Sequence, residues 1–153
     1  MTSTPSKHTG GCHCGAVRFE VEIDPSTGSM CNCTVCTKIA TVGAIAKPAA
    51  FTLLQGEDSL STYEWGGRIS RRKFCKHCGV HCFAFGHLDV LGGDYVSINL
   101  NCLDDFDRGT IKITYCHGVS RIPPSQLLWR PSQYVILIVP RSKSSRVLRL
   151  IAA

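Results

Sequence analysis

Cys31-Asn32-Cys33-Thr34-Val35-Cys36 puts three thiols within one short stretch, and paired thiols stand on either side of it. Upstream lies Cys12-His13-Cys14, and downstream lies Cys75-Lys76-His77-Cys78. A tetrahedral Zn²⁺ takes four Cys or His ligands where it is structural and leaves one position open where it is catalytic. The clustered cysteines divide into four plus three, which predicts one closed site and one open one.

The chain has 153 residues and ten cysteines. A domain of this length buries roughly 70% of its unfolded surface, so it needs no covalent staple merely to fold. The opening Met1 to His8 has no apolar core of the kind a secretory signal carries. The expectation is a reduced, cytoplasmic compartment with thiolates on metal rather than disulfides. The longest apolar run, Tyr134 to Val139, is far shorter than the roughly 20 residues that cross a bilayer, so no membrane segment is expected. Net charge is +6. Arg141, Lys143, Arg146 and Arg149 sit together near the C-terminus with no acid among them, leaving 13 basic against 11 acidic residues before them. That tail reads as a solvated end, and nucleic acid is not the expected partner.

Val17-Arg18-Phe19-Glu20-Val21-Glu22-Ile23 alternates apolar and charged residues, the pattern of a half-buried strand. Asp24 to Gly28 has turn chemistry. Short strands are predicted over 41–46, 51–54, 60–65, 69–75, 81–85, 95–100 and 111–115, with Gly66-Gly67 marking a hairpin. One or two helical turns are expected around Thr34 to Ile39. Many short strands with Gly-rich turns indicate a mainly β domain built from several small antiparallel sheets with little helix. The chain divides into a polar leader over 1–9, a zinc-binding domain over 10–116 and a C-terminal segment with a basic tail over 117–153. Tyr134 to Val139 is a candidate further strand.

Residues two apart in an extended strand point the same way, so Cys12 and Cys14 can offer both sulfurs to one ion. Cys75-x-x-Cys78-Gly79 has the spacing of a knuckle in which glycine relieves a tight turn. Together these thiols make a closed site that ties the first strand to the middle hairpin. Cys31, Cys33 and Cys36 leave a fourth position, which His81, Cys82 or His13 could fill, or else water or substrate; spacing alone does not choose. Cys82, Cys102 and Cys116 lack metal spacing and read as small buried apolar residues. His77, inside the knuckle, is expected to face solvent. Arg68, Arg71, Arg72, Lys73 and Lys76 crowd one strand and could either form an anion site or be the wet face of an edge strand.

Gly11-Cys12-His13-Cys14-Gly15-x-Val17, then Cys31-x-Cys33-x-x-Cys36, then Phe74-Cys75-x-x-Cys78-Gly79 resembles the glutathione-dependent formaldehyde-activating enzyme family, which also contains centromere protein V. The likeness runs from about Gly10 to Tyr115. It implies a zinc-bound β-tent fold with two Zn²⁺ per chain: a structural ion on Cys12, Cys14, Cys75 and Cys78, and a catalytic ion on Cys31, Cys33 and Cys36. It also implies a carbon-sulfur lyase joining glutathione, as co-substrate, and formaldehyde to S-hydroxymethylglutathione. On that reading Arg71 and Arg72 could take the peptide carboxylates, and the partners are a small-molecule thiol and an aldehyde. After Tyr115 the sequence departs from the family pattern, at Ile122-Pro123-Pro124 and Trp129-Arg130-Pro131. The rival expectation is a non-catalytic, zinc-stabilised binding module that contacts protein or nucleic acid.

Overall fold

A computed structural model describes residues 4–64 and 68–116. Its ten strands are β1 (Ser6–Gly11), β2 (Arg18–Ile23), β3 (Ser29–Cys31), β4 (Gly43–Ala46), β5 (Phe51–Gln55), β6 (Leu60–Tyr63), β7 (Ser70–Cys75), β8 (His81–Leu88), β9 (Gly93–Asn99) and β10 (Thr114–Cys116). The one α-helix among the described residues, α1, spans Thr34–Lys38. The mainly β expectation holds. The strands gather into two sheets, one of three strands ordered β1-β2-β5 and one of seven ordered β10-β3-β4-β9-β8-β7-β6. All pairings are antiparallel except β10 with β3, which run parallel.

The alternation in β2 does what its period requires. Phe19, Val21 and Ile23 are buried, while Glu22 between them is exposed. They meet Ala44, Phe83, Val96 and Ile98 of the larger sheet, and Val42 just before β4, in one apolar core. Phe19, Phe51, Phe83 and Phe85 stack through it, with Phe51 and Phe83 ring centres 4.7 Å apart and Phe19 edge-on to Phe83 at 5.6 Å. β8 buries Cys82, Phe83 and Ala84 in succession, as a central strand covered on both faces does.

Two strands carry little sequence signal. β1 begins at Ser6, inside the segment read as a leader, and is polar over half its length. Tertiary partners hold it: it pairs along its whole length with β2, and the chain after β9 docks across it. There Thr9 donates to Asp104 at 2.7 Å, and Arg18 grips the same carboxylate through both guanidinium nitrogens. That pairing depresses the Asp104 carboxyl below its usual range, Arg18 first and Thr9 second. β3 is only three residues long and is fixed by its neighbours β4 and β10. The Gly66-Gly67 turn and the segment 117–153, with its candidate strand, lie outside the described residues.

Candidate metal centres

The first thiol set is assembled by two turns. Cys12 and Cys14 do not lie in a strand, as their spacing had suggested, but in the turn between β1 and β2. There the Gly15 amide donates to the Cys12 carbonyl at 3.2 Å, and the Cys12 amide to the Val17 carbonyl at 3.1 Å. A turn replaces the extended segment because β1 must reverse into its antiparallel partner β2 within a few residues. Cys75 closes β7, and the knuckle behind it is held by Gly79 donating to the Cys75 carbonyl at 2.8 Å. Gly79 has φ of +74°, a left-handed conformation that costs a side-chain-bearing residue energy.

The four sulfurs of Cys12, Cys14, Cys75 and Cys78 lie within 4.8 Å of one another. Cys12 and Cys14 Sγ are 3.5 Å apart, and Cys14 and Cys75 Sγ are 3.7 Å apart. A tetrahedral ion with bonds of about 2.3 Å needs sulfurs about 3.8 Å apart, so the donor set fits zinc. Amides already point at these sulfurs, Val17 N–H reaching Cys12 Sγ at 3.3 Å. The Cys78 thiol is held down at about 6, first by the Val80 backbone and then by that of Cys14. His77 is exposed and meets the Ser59 hydroxyl at 3.2 Å, outside the sulfur set.

The second set is local. Cys31 ends β3, Cys33 caps α1 and Cys36 lies in its first turn. The cap is a sulfur in the role that a Ser or Asp oxygen usually fills, the Cys36 amide lying 3.5 Å from Cys33 Sγ and the Cys33 amide 3.4 Å from Cys31 Sγ. All three sulfurs again fall within 4.8 Å of one another, and each residue is half-buried. A helix this short stands because its cap and its thiols converge on one point. Three thiolates with a fourth position supplied from elsewhere also suit Zn²⁺.

The surroundings of this set include residues that spacing could not assign. Arg72 of β7 brings a guanidinium nitrogen to 3.8 Å from Cys36 Sγ. Arg71, its neighbour, is exposed and lines a cavity of about 410 Å³ with Arg68, Phe85, His87, Asp94 and Tyr95. Adjacent residues of a strand face opposite ways, so the two arginines proposed for one anion site stand on different faces. Lys73 is tied to the Thr62 hydroxyl at 2.6 Å.

Of the candidates for a fourth ligand, His13 is exposed beside the first set. Cys82 is fully buried and donates to the Val80 carbonyl at 3.5 Å. His81 is half-buried, both its ring nitrogens are inaccessible to solvent, and neither has a hydrogen-bond partner. Burial, and secondly the Arg72 charge, hold its pKa down at about 4, so its imidazole is neutral at pH 7. None of the three shares the sulfur set of Cys31, Cys33 and Cys36.

Cys116, which reads in the sequence as an isolated small residue, does stand beside that set. β10 lies parallel to β3 with Cys116 opposite Cys31. Interaction with Cys116 pulls the Cys31 thiol down and pushes that of Cys116 up. No spacing signal could reveal it, because 85 positions separate Cys31 from Cys116.

No described helix is long and apolar enough to cross a membrane. Among solved structures, a crystal structure of a Rhodobacter sphaeroides protein, a structural genomics target, is similar at 26% identity and a TM-score of 0.60. The match covers 69% of this chain and 99% of that one. A family model described as glutathione-dependent formaldehyde-activating enzyme matches residues 7–117, which takes in both thiol sets and all ten described strands except the first residue of β1. The chain therefore belongs to the glutathione-dependent formaldehyde-activating enzyme family.

Proposed function

We propose that the protein is a carbon-sulfur lyase that joins a thiol of the glutathione type to formaldehyde or a similarly small aldehyde. The observation that carries this reading is the three-thiol set of Cys31, Cys33 and Cys36 with the Arg72 guanidinium 3.8 Å from Cys36 Sγ. Zn²⁺ bound there would favour the thiolate form of an incoming thiol and hold it at the fourth position. Cys12, Cys14, Cys75 and Cys78 are proposed to hold a structural zinc instead.

In the forward reaction the sulfur lone pair forms the new carbon-sulfur bond as the carbonyl π pair moves onto oxygen. That oxygen takes up the proton the thiol has lost, giving the hydroxymethyl thioether. Arg72 supplies a fixed positive charge on the side of the thiols, where it can neutralise part of the charge of the thiolates or pair with a substrate carboxylate. Arg71 faces elsewhere and is assigned no direct part in holding the thiol. The addition also proceeds in water, so the contribution asked of the protein is mainly to hold the thiolate and the aldehyde in reacting geometry.

Exchange spectroscopy on glutathione and formaldehyde with zinc-loaded protein tests the assignment. Micromolar protein should accelerate interconversion with S-hydroxymethylglutathione, and Arg72→Ala should lower that acceleration by about tenfold, the effect of losing one charged contact. Absence of any acceleration removes this substrate pair. A second reading rests on Cys116: a thiol lodged permanently beside Cys31 would make this centre structural as well, and the chain a zinc-stabilised binding module. That reading predicts no acceleration and no binding of glutathione.

A further inference from the structure

We propose that Cys116 is an exchangeable fourth donor at the Cys31, Cys33 and Cys36 centre, occupying the open position at rest and yielding it to an incoming thiol. The exchange rests on the lyase reading above; the resting coordination does not. Cys116 is not an isolated thiol. It is the residue directly opposite Cys31 in the parallel pair of β10 with β3. That register is pinned at both ends: Thr114 donates to the Gly28 carbonyl through its amide at 3.1 Å and its hydroxyl at 3.2 Å, and the Asn32 amide donates to the Cys116 carbonyl at 3.3 Å. The register therefore stands Cys116 directly beside Cys31, whose sulfur lies within 4.8 Å of those of Cys33 and Cys36.

The geometry of Cys116 differs from that of the other three. Cys31, Cys33 and Cys36 form a set in which every sulfur is within 4.8 Å of every other, and Cys116 is outside it while paired with Cys31 across the strands. A donor carried on a three-residue edge strand, engaging one side of the set, can close the tetrahedron by a small movement and leave by reversing it. The other three sulfurs cannot do this, since they are bound into one strand end and helix cap. The exchange is balanced. The incoming thiol gives up its proton as its sulfur becomes a ligand, and Cys116 takes up a proton as its thiolate leaves, so no net charge enters the centre. An occupied position also keeps the zinc from taking up adventitious donors when no substrate thiol is present.

X-ray absorption on the zinc-loaded full chain, in buffer free of added thiol, reads the resting state. The expected sulfur number is an average of about 4 per zinc in the wild type and about 3.5, with a light atom added, in Cys116→Ser. A wild-type average of about 3.5 overturns the proposal whatever the variant does, so a poorly folding variant does not protect it. A value of about 4 in both proteins, at equal zinc content, overturns it too, because another residue must then supply the sulfur. Calorimetric titration with glutathione reads the exchange. Removal of the internal competitor should tighten glutathione binding about tenfold in Cys116→Ser, as expected when the competent state is a minor population in the wild type. Equal or weaker binding by the variant overturns the exchange. Binding by neither protein overturns the exchange and the thiol-substrate reading together, and leaves the sulfur number to report the resting coordination alone.

Discussion

The two thiol sets use the same donor atom for opposite structural purposes. Cys12, Cys14, Cys75 and Cys78 come from two turns in separate sheets, and drawing them together fastens the three-stranded sheet to the seven-stranded one. Cys31, Cys33 and Cys36 come from one strand end and the helix that follows, and drawing them together fastens only that junction. The first set is complete within itself and buried at Cys12 and Cys75. The second is half-buried throughout, meets the Arg72 side chain and has Cys116 paired beside Cys31 on a neighbouring strand. Ligand identity does not separate a structural centre from a reactive one. On the assignment proposed above, the distance in the chain over which the ligands are gathered, and what else faces them, does.

The largest expected effect comes from breaking the first set. A structural zinc of this kind contributes on the order of 10 kcal/mol, comparable with the whole stability of a domain. Cys75→Ala should therefore leave the chain unfolded or aggregated, measured by circular dichroism and zinc content after purification. A folded Cys75→Ala protein would erase the distinction between the sets.

Next in size is an acid effect at His81, which neighbours Arg72 electrostatically. Its folded pKa is about 4 against an ordinary 6.5, so the unfolded chain binds more protons in this interval. Stability should be intact above about pH 6.5 and fall as pH drops toward 4, by up to about 3 kcal/mol. Denaturation across that range should show this slope in the wild type and a flatter one in His81→Phe. Equal slopes would place the imidazole in contact with water or with a charge that compensates it.

A smaller effect sharpens the knuckle. At Gly79 an added Cβ meets nothing within 4 Å, so Gly79→Ala carries only the conformational cost of φ at +74°, about 1 kcal/mol. It should lower the denaturation midpoint modestly and leave zinc content unchanged. Comparable in stability is Cys33→Ala, which removes the α1 cap: it is expected to retain its fold, to lose about 1 kcal/mol as other cap deletions do, and to lose half of its bound zinc. Elemental analysis beside a thermal melt checks it, and unfolding as severe as that of Cys75→Ala would show that both centres carry the fold.

Much of this was legible in the sequence where a local pattern carried it. The alternation from Val17 to Ile23, the apolar and aromatic runs of β4 to β9 and the three metal-spaced cysteine groups all have short periods; the strands lie close to where those periods put them, and the cysteines gather into two sets. What escaped has no local signature. β1 is polar and is held by β2 and by Asp104 and Asp105 from the far end of the domain. The turn at Cys12 to Cys14 follows from the need to reverse a strand whose existence was not foreseen. Arg71 and Arg72, grouped by adjacency, are separated by the pleat. Cys116 reads as a buried apolar residue until the parallel register sets it opposite Cys31.

The first set has a kinetic consequence. Cys14 and Cys75 are 61 positions apart, and bringing two such points of a disordered chain together costs about 4 kcal/mol in configurational entropy. Zinc held by the Cys75 knuckle alone would thus be a half-made clasp, and capture of Cys12 and Cys14 would close a loop containing most of the described strands. On the proposed assignment, free metal concentration would govern how fast this protein reaches its native state, and chelation would both trap chains during synthesis and unfold chains already folded.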